Sequence, residues 1–319
     1  MKMYSIDKSI KDKLRDINSY FQDIYNKQLV KKDELRKFIV ENIAEIKKAK
    51  KLSTDELKKI KNITAVDGSF NRFGGNYPHY IDFYKAVAKD SKNDEIIKTF
   101  VDCPFYEQND NREDNDEIDD SNSILSKLEI EAAIEAIEKY KPKVLMLDGG
   151  LIRYKIYAPK LFEKLKDLSI INKTIVVGII KDIKTNMISR KFEELGINSF
   201  KLYDREYLYG VLKSGEYFLA PDSLNLKFSE GLRTAFANLS DSPDPIGIEI
   251  FDFEIMSLPI AIDLSYSLTP NKSRGIPIWI DIVDKEARLS DEMVKTSLKT
   301  FIDPEIFEIF LNAERNKRT

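Results

Sequence analysis

Cysteine is almost missing from this chain of 319 residues, which has one, Cys103. A single cysteine excludes an intrachain disulfide framework and any cysteine-based zinc site, as expected in a reducing compartment. Cys103 reads as a small buried apolar residue near a strand end. No apolar run approaches the roughly 18 to 20 residues that a membrane span requires, and the charged N-terminus has no apolar signal core. The expected setting is therefore cytoplasmic, without membrane contact. An excess of charge of one sign is also lacking: 51 Lys and Arg against 54 Asp and Glu leave −3, which excludes a uniformly basic DNA coat protein. The charges are unevenly placed. Residues 1–61 carry a Lys/Arg excess, whereas Glu107 to Asp120 is almost entirely acidic and polar, and such runs are most often solvated surface.

What is present is an apolar fraction of 42%, enough for an ordinary core. Ile6, Ile10, Leu14, Ile17, Phe21 and Ile24 recur at steps of four and three, the stripe of an amphipathic helix, and Leu35, Ile39, Ile43 and Ile46 form a second. Residues 1–60 therefore read as an N-terminal helical arm, with Ser53 and Glu56 as a capping box before the first strand. Residues 61–319 read as one domain. Strands are expected at Ile63 to Asp67, Tyr77 to Ala88 and Glu95 to Val101, a helix through Ile124 to Ile137, and buried strands at Val144 to Leu147 and Thr174 to Ile180. Helices are expected at Leu161 to Leu168 and Asn186 to Leu195. Further on, Phe218 to Ala220, Ile248 to Phe253 and Pro259 to Leu264 read as strands, and Asp284 to Phe301 and Asp303 to Ala313 as helices, the last with Asp303 as N-cap and Pro304 following. Three strands, then helix, strand, helix, strand and helix, is the layout of an α/β RNase H-like mixed sheet flanked by helices, here with N- and C-terminal helical additions. By analogy with that fold, the first and fourth strands lie side by side.

That layout gathers acids. Asp67 and Asp148 each end an apolar strand, where an ionised carboxylate without compensation is costly. Each is followed by glycine, in Asp67-Gly68-Ser69 and Asp148-Gly149-Gly150, which lets a bulky ligand come close. An Asp-Gly pair alone is more often an ordinary turn; the combination with a helix acid is what points to a site. Glu131 falls among Leu128, Ile134 and Ile137 on the intervening helix, with Glu129 its nearest competitor. Carboxylate oxygens suit Mg²⁺ or Mn²⁺, and two such ions about 4 Å apart serve phosphodiester hydrolysis. Lys181 follows a buried strand at the same sheet end as Asp148, and Arg153 lies five residues beyond Asp148; both are candidates for phosphate contact. Tyr203, Tyr207, Tyr209, Tyr217 and Phe218 have base stacking and core packing as alternatives, the second favoured. His79, the single histidine, reads as a surface or partly buried imidazole rather than a site residue.

These residues resemble the NurA nucleases of DNA end processing. The resemblance rests on Ala65-Val66-Asp67-Gly68-Ser69, Leu128-Glu129-Ile130-Glu131-Ala132-Ala133, Leu147-Asp148-Gly149-Gly150, and Gly275-Ile276-Pro277 leading to Asp284-Lys285-Glu286-Ala287-Arg288, over roughly residues 60–300. The family spacing places the metal-binding Glu about 17 residues before the second Asp, which selects Glu131. The resemblance implies a metal-dependent nuclease with 5′ to 3′ exonuclease and single-strand endonuclease action in end resection for double-strand break repair. It also implies Mn²⁺ or Mg²⁺, a homodimer, and a hexameric HerA translocase as partner. Where the family usually carries a Tyr and, eight residues later, a His, this chain has Ile276 and Asp284, so Asp284 is expected as a fourth ligand. Two other readings compete. One is a DNA-binding or translocase-docking subunit without activity. The other is a kinase of the related fold, for which the 12 glycines form no phosphate-loop pattern.

Overall fold

The computed structural model describes residues 7–29, 31–60, 62–107 and 117–311. Ile6, residues 108–116 of the acidic stretch and the end of the last expected helix at Ala313 lie outside them. Among the described residues nine strands make one sheet: β1 (Lys47–Lys48), β2 (Ile63–Gly74), β3 (Tyr80–Asp90), β4 (Glu95–Asp102), β5 (Val144–Asp148), β6 (Ile175–Ile180), β7 (Glu216–Leu219), β8 (Leu232–Ala237) and β9 (Ile246–Phe251). Their order is β1-β7-β8-β9-β6-β5-β2-β3-β4. β2, β3 and β4 form an antiparallel meander, whereas β2, β5 and β6 run parallel to one another. The run from β4 to β6 is the RNase H-like core expected from the sequence, with β2 beside β5 at its centre. β9, β8, β7 and β1 extend it as an antiparallel wing.

β5 and β6 are continuous apolar runs because both of their faces are covered. The helices Glu117–Tyr140 and Pro159–Asn172 pack on one face, against Val66, Leu145, Leu147 and Val176. Leu258–Ser267 and Ile278–Ala287 pack on the other, against Ala65, Met146, Val177 and Ile179. Side chains alternate along a strand, so this division assigns the chemistry as well. Two-residue steps from Ala65, Met146 and Ile179 carry Asp67, Asp148 and Lys181 to the face of the helix Ile278–Ala287. Gly68 and Ile180 face the opposite way.

Several elements differ from the sequence expectation. β2 does not end at Asp67 but runs on to Gly74, held by pairing to β3 as far as Gly74 with Tyr80, while its pairing to β5 stops at Val66 with Leu147. The apolar run expected as a strand at Pro259 to Leu264 is the helix Leu258–Ser267, with proline in its first turn; a short apolar run has no period that separates a strand from a buried helix. The helix expected from Asp284 to Phe301 is two, Ile278–Ala287 and Asp291–Phe301, because Ser290 caps the second by accepting from the Met293 amide at 3.2 Å. Of the expected N-terminal arm, only Lys8–Ile24 stands off the body, almost wholly exposed. The helix Lys32–Asn42 buries Leu35 and Ile39, stacks Phe38 on Phe192 at 4.2 Å and bonds Arg36 to the buried Glu216. The capping box of Ser53 with Glu56 and the Asp303 N-cap form as expected.

Candidate metal centre

β2 and β5 leave their shared register one step before Asp67 and Asp148, so the two carboxylates stand side by side where the parallel pairing ends. The third carboxylate comes from across the sheet face. The helix Ile278–Ala287 is clamped there by Ser69, whose hydroxyl donates to the Ala287 carbonyl at 2.6 Å and accepts from the Leu289 amide at 3.1 Å. Lys85 adds a bond to the Glu286 carbonyl at 2.7 Å. The clamp holds Asp284 over β2 and β5, and one carboxylate oxygen each from Asp67, Asp148 and Asp284 lies within 4.8 Å of the others. Ile276 is buried in the core beneath this helix.

Several buried acids elsewhere among the described residues have conventional partners. Asp82 is bonded by Arg72, Glu216 by Arg36, and Asp204 accepts from two backbone amides and Thr185. Asp67 has only the Gly68 amide, at 2.8 Å. Burial, then the neighbouring charges of Asp148 and Glu129, push its carboxyl up to about 8. Burial also raises Asp148, against the pull of Lys181, whose ammonium bonds it directly. Lys181 on Asp148 and Arg288 on Asp284, at 3.4 Å, offset part of this charge, and Asp67 has no cation bonded to it. Hard oxygen donors that repel one another and are compensated only in part suit a divalent cation.

The helix acid in this neighbourhood is Glu129, not Glu131. Glu129 is 1% exposed, while Glu131 projects to solvent from the same helix. Glu129 reaches the sheet through a gap in β2: a Cβ on Gly68 would lie 2.7 Å from its Oε1 and 2.8 Å from Leu125 Cδ1. Glu129 Oε2 accepts from Tyr154 at 2.8 Å and from Arg153, whereas its Oε1 is buried without a hydrogen-bond partner. Burial raises the Glu129 carboxyl, with Arg153 and Tyr154 opposing. An orphaned carboxylate oxygen beside three clustered acids fits a cation in that space.

Arg153 and Lys181 are both at the site, each engaged by an acid. Besides Glu129, Arg153 donates to the Asp148 carbonyl at 3.1 Å and to Tyr154 at 2.8 Å. The remaining candidates lie elsewhere. His79 precedes β3 and stacks on Phe105. Tyr207, Tyr217 and Phe218 are core residues, and Tyr203 and Tyr209 are about half exposed. Tyr154, fully buried in the Glu129 network, had no sequence signal beyond its place one residue after Arg153.

Solved structures share this architecture. A crystal structure of the NurA nuclease from Sulfolobus solfataricus superposes with a TM-score of 0.54 at 12% identity, covering 94% of this chain and 99% of that one. A crystal structure of NurA bound to dAMP and manganese gives 0.57 at 11% identity, covering 93% and 98%. No curated protein sequence matches the chain. No helix among the described residues is long and apolar enough to cross a membrane. The family model of the NurA domain matches residues 61–289, from the start of β2 to the end of the helix that carries Asp284, and the chain belongs to this family of nucleases.

Proposed function

We propose that the protein is a metal-dependent DNA nuclease in which Asp67, Asp148 and Asp284 hold Mn²⁺ or Mg²⁺, in one or two sites, and Glu129 backs them. The observation that carries this reading is the convergence of three carboxylate oxygens within 4.8 Å on a family fold of nucleases. When bound, the cation supplies Lewis acidity toward a phosphodiester. The chain supplies the rest. Asp67 and Asp148 are placed by strand register and Asp284 by the Ser69 clamp, so the backbone already brings the donors together. Lys181 is placed to pass from Asp148 to a phosphate oxygen, and Arg153 to hold Glu129 and the Asp148 backbone in position.

The finer reading is 5′ to 3′ exonuclease and single-strand endonuclease action on DNA ends during resection. With Mn²⁺ or Mg²⁺ the purified protein is expected to cut labelled single-stranded DNA, and chelator to stop it. Asp284→Asn should weaken Mn²⁺ binding, measured by calorimetry, by at least 10- to 100-fold, since even indirect support of a metal ligand is worth that much. Wild-type protein that binds DNA but cuts none with any divalent cation would favour the docking-subunit reading.

A homodimer docked on a HerA-type hexameric ATPase completes the proposal. Its support is the helix Lys8–Ile24, which leaves Ile10, Leu14, Ile17 and Phe21 between 38 and 62% exposed. Deleting residues 1–24, short of the buried Leu35 and Ile39, should cost the dimer or the ATPase binding and leave cleavage of single strands. A truncated protein that stays dimeric and binds the ATPase, as read by light scattering and co-elution, would refute the interface role.

A further inference from the structure

The Asp148-Gly149-Gly150 segment turns over the carboxyl edge of the sheet, and on the face away from the acids it borders a cavity of about 250 Å³. Gly150, Ile180, Ile183, Lys184, Lys227 and Phe236 line it. A neighbouring cavity of about 180 Å³ shares Lys184, Lys227 and Phe236 and adds Arg190. Ile183 and Phe236 are 2% exposed and give an apolar floor. The rim is basic: Lys184 has a largely exposed side chain, paired loosely to Asp182 at 3.4 Å. Below lies Glu249, fully buried, which accepts from Lys227 and, at 3.4 Å each, from the Ile152 amide and Thr234. The open space depends on glycine. A Cβ on Gly247 would sit 3.1 Å from Ile180 Cβ, and one on Gly150 would sit 3.4 Å from Ile180 Cδ1 and 3.2 Å from Glu249 Oε2.

We propose that this cavity is a nucleobase subsite, which receives a base of single-stranded DNA flanking the phosphate at the acidic cluster. The inference rests on the nuclease reading above. Its apolar floor and glycine-opened width suit the face of a base, and Lys184 on its rim, with Arg190 in the neighbouring cavity, suits the phosphates on either side. Its continuity with the acids is covalent, since Gly150 lies two residues from Asp148 and Ile180 lies next to Lys181. A strand crossing the sheet edge passes from one to the other. The buried Lys227–Glu249 pair fixes the floor beneath it, and the Glu249 bond to Ile152 fixes the turn.

The test is equilibrium binding in chelator, by fluorescence anisotropy, of a labelled oligo-deoxyadenylate and of an abasic deoxyribose phosphate chain of equal length. Stacking of one base is worth about a tenfold or greater preference for the base-bearing strand. Wild type should show it, and Gly247→Val, which fills the cavity, should remove most of it. Lys184→Ala should lower the slope of log affinity against log salt by about 0.7, the share of one single-strand phosphate contact. Equal affinity of wild type for both strands overturns the subsite, as does an undiminished preference in folded Gly247→Val or an unchanged salt slope in Lys184→Ala. If Gly247→Val does not fold, the wild-type comparison and the Lys184 slope decide. Cleavage by wild type with Mn²⁺ is scored separately: binding with base preference but no cleavage sinks the nuclease reading and leaves the subsite standing.

Discussion

Asp67→Asn should abolish cleavage, by at least 10³-fold, and at the same time make the metal-free protein more stable at alkaline pH. Both follow from one fact, that Asp67 is nearly buried with no cation bonded to it and with Asp148 and Glu129 repelling its charge. Its proton affinity is pushed up to about 8 in the folded chain, against an unfolded value near 3.8. Between those limits the folded state binds the extra proton, so stability is highest below about pH 4, falls as pH rises, and the loss is complete above about pH 8. The amide in the variant has no charge to lose. Each pKa unit corresponds to about 1.4 kcal/mol, and relaxation and water entry reduce the full shift, so a gain of about 1 to 3 kcal/mol at pH 9 is expected, shrinking toward zero at pH 4. Urea denaturation in chelator at both pH values measures it. Mn²⁺ at about 1,000 times its wild-type Kd should reverse the order, because it adds about 4.1 kcal/mol to wild type and much less to the variant with a weakened site. A variant no more stable than wild type at pH 9, or one that still cuts DNA, would remove Asp67 from the site.

How much of this centre the sequence disclosed depends on what kind of element carries each residue. Asp67 and Asp148 sit on strands and Lys181 directly follows one; an apolar run broken by a polar residue marks both position and face there, and parallel pairing of such runs fixes their adjacency. Asp284 was reached only through its place in a family motif. Ser290, as N-cap with Asp291 and Glu292 after it, is the local sign that the chain breaks at Leu289, but nothing local announces that Ser69, 220 positions away, holds that break against the sheet. The wing β7-β8-β9 was legible only in part for the same reason. β8, Leu232–Ala237, is short and follows a chain of turns, and its place between β7 and β9 is decided by pairing remote in sequence. The cavity beside the site had no sequence signal at all, since Gly247 and Gly150 matter through what they leave empty.

Glu129→Ala and Glu131→Ala are expected to have contrasting consequences for metal binding and stability. Successive helix residues turn by about 100°, so positions 129 and 131 point about 200° apart and cannot share a face. Ile130, Ala132, Ala133, Ile134, Ala136 and Ile137 are all buried, an arc so wide that counting apolar neighbours does not locate its centre. The small residues do: Ala132, Ala133 and Ala136 mark where the helix comes nearest the sheet, and Glu129 is in line with them, whereas Glu131 is on the solvent side. Removing Glu129 strands the Arg153 charge and the Tyr154 hydroxyl that it accepts from, which should cost about 3 kcal/mol. Because it stands behind the three clustered carboxylates rather than among them, its loss should act as a positioning defect. Mn²⁺ affinity should fall by about 10- to 100-fold, and excess Mn²⁺ should recover part of the cleavage rate. Glu131→Ala, on an exposed helical face, should change stability by no more than about 0.5 kcal/mol and leave Mn²⁺ affinity as it was. Calorimetric titration of the two variants side by side decides. Loss of metal binding in Glu131→Ala with none in Glu129→Ala would mean that the helix is turned by half a revolution from the orientation described.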